Sequence, residues 1–255
     1  MAYTIRPLSF AEVLDRAFAV LKDHFWLIVS ISAVVYLPWG AMQVFEQLAS
    51  APLRVVIAIV SGLALLIAAP VMGVAVATAV AKVYLDQPTT VDEAYRSTGS
   101  ILAQVLGTYL VSGLLLILAF IALVIPGIYF AICWALLPPV MVIEQRFGMA
   151  AMRRSRELVR GVWWRTLGIA AVAAVIAQIP ASALNFLWVH IPILGPLLYA
   201  ATLAVSSTYS AVVLVIYYFD RRCRTEDFDL RLLAEQIRAE TGGAAPAVPG
   251  TSSIA

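Results

Sequence analysis

Residues 101–124 read ILAQVLGTYLVSGLLLILAFIALV, 24 consecutive positions without a charged side chain. At a rise of about 1.5 Å per residue, a helix of that length covers the roughly 30 Å hydrocarbon core of a bilayer. Working outward from it, five further apolar stretches emerge: Phe25 to Leu48, Leu53 to Leu85, Ile128 to Gln145, Trp163 to Trp188 and Ile193 to Phe219. Composition agrees, since 62% of the 255 residues are apolar and 13% charged, with a mean hydropathy of +0.93. Soluble domains run nearer about 45–50% apolar and about 25% charged, so the chain does not read as a soluble enzyme. The expected fold class is all-α, a polytopic membrane protein with six transmembrane helices in three hairpins and interfacial amphipathic helices on the cytoplasmic side. Residues 1–240 form the membrane domain, and 241–255, rich in Gly, Pro, Ala and Ser, read as a disordered tail.

Sixteen of the seventeen Lys and Arg fall before the first span, at or near the connection of the second and third or of the fourth and fifth, or after the sixth; Arg54 is the exception. The positive-inside rule therefore places both termini in the cytoplasm. The connections left on the other side, Ala51-Pro52, Pro126-Gly127 and His190 to Pro196, are short and rich in Pro and Gly. No secretory signal is expected, because Glu12, Asp15 and Asp23 precede a first span long enough to stay in the bilayer. The net charge of +2 gives no reason to expect a nucleic-acid partner. The second span exceeds what a bilayer needs, which suggests tilt, a bend at Pro70 or extra turns near Lys82.

The cytoplasmic side carries the most patterned sequence. At about 100° per residue, Met152, Ser155, Leu158, Val159, Val162 and Trp163 share a face with Ala151, and Arg153, Arg154, Arg156, Glu157 and Arg160 fill the opposite arc. Phe10 to Phe25 behaves likewise, and Ser9 with Glu12 fits a capping box at its start. A shorter version begins at Thr90, with Glu93 three residues on. Three copies of one unit, an amphipathic helix followed by a hairpin, would explain this pattern. So would the need of any such protein to place its remaining residues inside. Arg153, Arg154, Arg156 and Arg160 form a candidate face for anionic lipid, with Trp163 and Trp164 as interface anchors. The same residues also serve as an orientation signal, the plainer reading of such a loop.

Within the spans, polar residues form stripes: Gln104, Thr108 and Ser112; Gln178, Ser182 and Asn185; Thr202, Ser206 and Ser210. Close helix packing with interhelical hydrogen bonds is the ordinary meaning, and a solvated cavity the sharper one. Pro38, Pro70, Pro138, Pro139 and Pro180 interrupt four spans, and Pro138 and Pro139 are expected to free the carbonyls of Trp134 and Ala135. No ionisable side chain falls at a midplane, which counts against ion-coupled transport. Glu144, where the fourth span meets the Arg-rich helix, is expected to pair with Arg146, Arg153 or Arg165. No catalytic, metal or cofactor motif is found. His24 and His190 lie on opposite sides of the membrane, and Cys133 and Cys223 do not read as a disulfide or metal pair. Asp229 to Ala239 can form a short helix after the last span.

The run Ala151 to Arg165, the exit Tyr217-Tyr218-Phe219-Asp220-Arg221 with Phe228-Asp229-Leu230, and the opening Phe10 to Phe25 resemble bacterial membrane proteins of the glycerophosphoryl diester phosphodiesterase membrane-domain family. The likeness covers roughly residues 9–238 and implies an architecture and a bacterial plasma membrane. In some relatives this domain precedes a phosphodiesterase barrel; here 36 residues follow Phe219, so that activity is not carried over. The expected function is a non-enzymatic accessory or scaffold at the cytoplasmic face, with membrane lipids and another membrane protein as candidate partners. The alternative is a transporter handling lipids or small molecules.

Overall fold

The computed structural model describes residues 6–226, all of whose regular elements are helices; the helix expected over Asp229 to Ala239 and the tail 241–255 lie outside the described residues. In chain order the helices are α1 (Phe10–Asp23), α2 (Phe25–Leu48), α3 (Ala51–Tyr84), α4 (Val91–Gly99), α5 (Leu102–Ala122), α6 (Val124–Cys133), α7 (Leu137–Ile143), α8 (Gly148–Val159), α9 (Trp163–Trp188) and α10 (Leu194–Glu226). Six segments, α2, α3, α5, α6 with α7, α9 and α10, are long and apolar enough to cross a bilayer. Their outer faces carry large apolar side chains open to the surroundings, among them Leu66 at 71%, Ile121 at 76% and Ile125 at 80% exposure. In water such surface would drive aggregation, whereas lipid tails solvate it. The protein is a multi-pass membrane protein.

Sequential neighbours pack together, α2 on α3, α5 on α6 and α9 on α10, while α10 also runs along α2. Half of the most apolar window of α10 is buried, against 11% for α3, so α10 is the central post. The α2–α10 contact is close because Gly40 faces Ala200: a Cβ at Gly40 would lie 2.5 Å from the Ala200 Cβ. Farther along the same contact, Ser32 and Thr208 share a buried hydroxyl hydrogen bond of 2.6 Å.

Local rules account for the breaks and starts. At α1, Glu12 N–H donates to Ser9 Oγ and Ser9 N–H to Glu12 Oε2, which completes the capping box. Those Ser9 hydrogen bonds, with Arg6 beside the carboxylate, lower the Glu12 pKa to about 2. α3 runs through Pro70 as one helix; Val74 to Ala81 beyond it are buried, and Lys82 pairs with Glu93 at 2.5 Å. The fourth span is a broken helix starting at Val124, earlier than the expected Ile128. Pro138 and Pro139 lie in the first turn of α7, where a missing N–H costs little. The Trp134 carbonyl, expected to be free, accepts from Leu137 N–H at 3.2 Å. The carbonyl one residue earlier, on Cys133, accepts from Ser155 Oγ at 2.7 Å, which docks α8 onto the break.

At the end of the bundle that holds the start of α1 and the end of α10, Tyr84, Leu136, Met141, Leu158, Tyr217, Tyr218 and Phe219 are buried together. One carboxylate organises that end. Asp220 on α10, its side chain fully buried, accepts from Leu8 N–H at 2.7 Å and from Arg224 Nε at 2.9 Å, and its second oxygen lies 3.2 Å from an Arg165 nitrogen at the foot of α9. Arg165 and Arg224 both also donate to the Leu8 carbonyl, at 2.7 and 2.6 Å. One turn before, Tyr217 shares a hydrogen bond with Thr166 at 2.8 Å, and one residue after, Arg221 Nε donates to the Leu158 carbonyl at 2.9 Å.

Two pairs of substitutions test this packing. Gly40→Ala is expected to lower stability by about 1–3 kcal/mol through overpacking, whereas Gly62→Ala, with no atom within 4 Å of the added carbon, should be neutral or stabilising, both read from thermal unfolding in detergent. Asp220→Asn should cost about 3 kcal/mol, the lower end of the range for a broken buried pair because Arg165 and Arg224 keep some water, and should open the chain near Leu8 to limited proteolysis. The exposed pair partner Asp92, changed to Asn, should move stability by less than about 1 kcal/mol.

Candidate functional site

Helix α8 buries Ala151, Met152, Ser155, Leu158 and Val159, the apolar face of the wheel, against the bundle. Its first backbone N–H, on Gly148, is capped from a neighbouring span by Thr108 Oγ1 at 2.7 Å. At its other end Arg160 N–H returns to the Arg156 carbonyl at 2.9 Å, and Gly161 follows with φ +79°, a left-handed conformation that glycine adopts without strain. The chain thereby turns sharply and α9 begins two residues later at Trp163.

That turn leaves a cleft of about 440 Å³ between α8, the start of α9 and α6. Arg153, Arg156 and Arg160 form its cationic side, and Tyr129, Cys133 and Trp163 its apolar side. Trp163 is fixed: its ring stacks on Tyr129 with centroids 6.0 Å apart, and its indole N–H donates to the Tyr129 carbonyl at 3.3 Å. Trp164, edge-on to Trp163 at 4.8 Å, is 78% exposed and projects outward. Among the described residues, the side chains of Arg153, Arg156 and Arg160 make no ion pair or hydrogen bond, and Glu157 is the carboxylate that borders the cleft. Three guanidinium groups at the rim of an aromatic-walled cleft suit an oxyanion such as a phosphate, which planar donor forks bind in pairs.

Arg154 leaves this face. Its Nε donates to both Glu144 oxygens, at 2.9 and 2.7 Å, and it pairs also with Glu226; its side chain is 13% exposed. Burial opposes its charge, but the hydrogen bonds it donates to Glu144 and Glu226 outweigh that and raise the guanidinium pKa further. The physical reason for the departure is which flank of the helix each residue occupies: Arg154 and Arg156 border the buried arc on opposite sides, and Arg154 is on the side that reaches Glu144 after α7 and Glu226 at the end of α10. Glu144 also accepts from Tyr218 OH at 2.9 Å and lies 3.4 Å from Arg146, while Arg222 pairs with Glu226 at 3.0 Å. Of the three partners expected for Glu144, Arg146 is near it, Arg153 faces the cleft and Arg165 is turned to Asp220.

The polar stripes are placed apart from one another. Gln104, Gln178 and Ser182 are exposed on the outside of the bundle. Thr108 caps α8, and Ser112 donates to the Tyr109 carbonyl at 3.2 Å. Thr202 accepts from the Trp188 indole at 3.1 Å, Ser206 donates to the Thr202 carbonyl at 2.8 Å, and Ser210 is half-buried. Asn185 borders a second cavity at the far end of the bundle. The sequence reading had no signal for Tyr129 as a cleft wall, since it comes from another span, whereas Gly161 just past an amphipathic run was a readable helix stop.

No curated protein and no solved structure matches the chain. One family does match, over residues 94–248, a region that contains the cleft, the Glu144–Arg154–Glu226 cluster and Asp220, and begins within α4. The match covers more than half of the 255 residues, and the chain belongs to that family, described as a domain of unknown function (DUF8558).

Proposed function

We propose that this protein is a non-enzymatic accessory or scaffold protein of a bacterial plasma membrane, which engages anionic lipid head groups at the cytoplasmic face through the cleft of Arg153, Arg156 and Arg160. The single observation that carries the reading is the set of three arginines around one cavity that, among the described residues, have no carboxylate partner, while the neighbouring Arg154 is fully engaged. Trp163 and the exposed Trp164 beside it are the residue type that settles at head-group depth, so the cleft opens where phosphates lie. Both termini belong to the cytoplasm on the Lys and Arg distribution, with Arg54 alone at the opposite end. The architecture is akin to that of the glycerophosphoryl diester phosphodiesterase membrane domain, from which no chemistry is taken. A carrier would need the polar stripes to converge on a path, and Gln104, Gln178 and Ser182 face outward instead.

Each cation near an anionic surface contributes about 1 kcal/mol, so removing three should weaken head-group binding on the order of 100-fold. The test is retention of phosphatidylglycerol by purified protein, compared between wild type, the triple variant Arg153→Gln, Arg156→Gln, Arg160→Gln, and an Arg96→Gln control at an exposed site. Loss in the triple variant with the control unchanged is the expected outcome. Equal retention in all three would refute the cleft as a lipid site.

A further inference from the structure

At the end of the bundle that holds the end of α2 and the start of α10, α2, α9 and α10 line a second, partly open cavity of about 250 Å³, just below the usual range for ligand sites and large enough for a small cation. Trp39, Trp188 and Tyr199 wall it, with Glu46 and the amides Gln43 and Asn185. Trp39 and Tyr199 stand 6.4 Å apart with planes tilted by 55°, two walls of a corner. The polar edge of Trp188 is spent on Thr202 at 3.1 Å, so the ring is held and meets the cavity with its carbons. The same closeness of α2 and α10 at Gly40 that organises the bundle brings Trp39 against Tyr199.

Glu46 is half-buried and, among the described residues, has no ion pair and no side-chain hydrogen bond. The other charged or titratable groups at this end are engaged elsewhere: Arg54 donates to the Ala49 carbonyl at 3.4 Å, and His190 Nδ1 lies 2.8 Å from the Phe186 carbonyl. Neither borders the cavity, and among its described lining residues Glu46 is the one charged side chain, beside three aromatic rings. Hard metal cations require six or more oxygens, which this lining does not offer as a cage. An alkylated ammonium is attracted by ring faces and by one carboxylate at once, and sheds its weakly held water cheaply.

We propose that this cavity binds a methylated ammonium group, with Glu46 as counter-ion and Trp39, Trp188 and Tyr199 as the aromatic walls. The group can arrive as a free small cation or as the head group of a zwitterionic lipid, and the two sources are separable. Tryptophan fluorescence of the full chain in detergent is titrated with choline chloride and tetramethylammonium chloride, with sodium chloride at matched ionic strength. In parallel, protein in phosphatidylcholine nanodiscs is compared with protein in phosphatidylglycerol nanodiscs. A saturable response to the soluble cations, at least tenfold weaker in Glu46→Gln and in Trp39→Leu and largely retained in Trp39→Phe, supports a free cation. A phosphatidylcholine-specific change that Glu46→Gln abolishes, without response to the soluble probes, supports the lipid head group. If sodium chloride reproduces the response, if no probe elicits one, or if Glu46→Gln leaves it unaltered while unfolding at the wild-type temperature, the site does not exist.

Discussion

Asp220 is buried where an isolated carboxylate would be prohibitively costly, and its cost is offset only because three separate parts of the chain converge on it: the Leu8 amide, Arg165 at the foot of α9 and Arg224 one turn along α10. Every one of those parts is thereby fixed relative to α10. Tyr217 with Thr166 and Arg221 with the Leu158 carbonyl extend the same tie to α9 and α8. The other side of α10 is tied by a second cluster, in which Tyr218 and Arg154 hold Glu144 while Arg154 and Arg222 hold Glu226. Two polar faces of one helix thus brace the terminal end of the bundle, and the spans beyond them are left to lipid.

That bracing decides which arginines of α8 are spent and which are available. Ser155 pins the helix to the Cys133 carbonyl, so its rotation about its own axis is set. With that rotation, Arg154 reaches Glu144 and Glu226, and Arg153, Arg156 and Arg160 open onto the cleft. Gly161 places Trp163 across from them within two residues. The cleft is therefore a consequence of how α8 is locked, and the charge in it is what remains after the bundle has used what it needs.

The spans were legible because a bilayer imposes a length and an apolarity that a sequence must display residue by residue; Trp163 to Trp188 matches to the residue. The capping box at Ser9 and Glu12 and the apolar face of α8 were legible for the same reason, since each depends on neighbours three or four positions away. Asp220 was not, because its partner Leu8 is 212 positions distant and is a backbone amide, which carries no side-chain signature. Arg153 and Arg154 look alike in the sequence, and only the positions of α7 and α10 separate the one that faces the cleft from the one that closes an ion cluster. The fourth span shows the middle case: the proline pair announced a break, but not that Leu137 and Ser155 would take up the carbonyls around it.

The central claim, that locking α8 leaves a preformed oxyanion cleft at the membrane boundary, is tested most directly by a cryo-EM map of the protein in phosphatidylglycerol nanodiscs. The account predicts a phosphate-sized density between Arg153, Arg156 and Arg160, against the Trp163 ring, with Arg154 still paired to Glu144 and Glu226. An ordered α8 whose three arginines point into bulk water, with the cleft closed and no density, would contradict it.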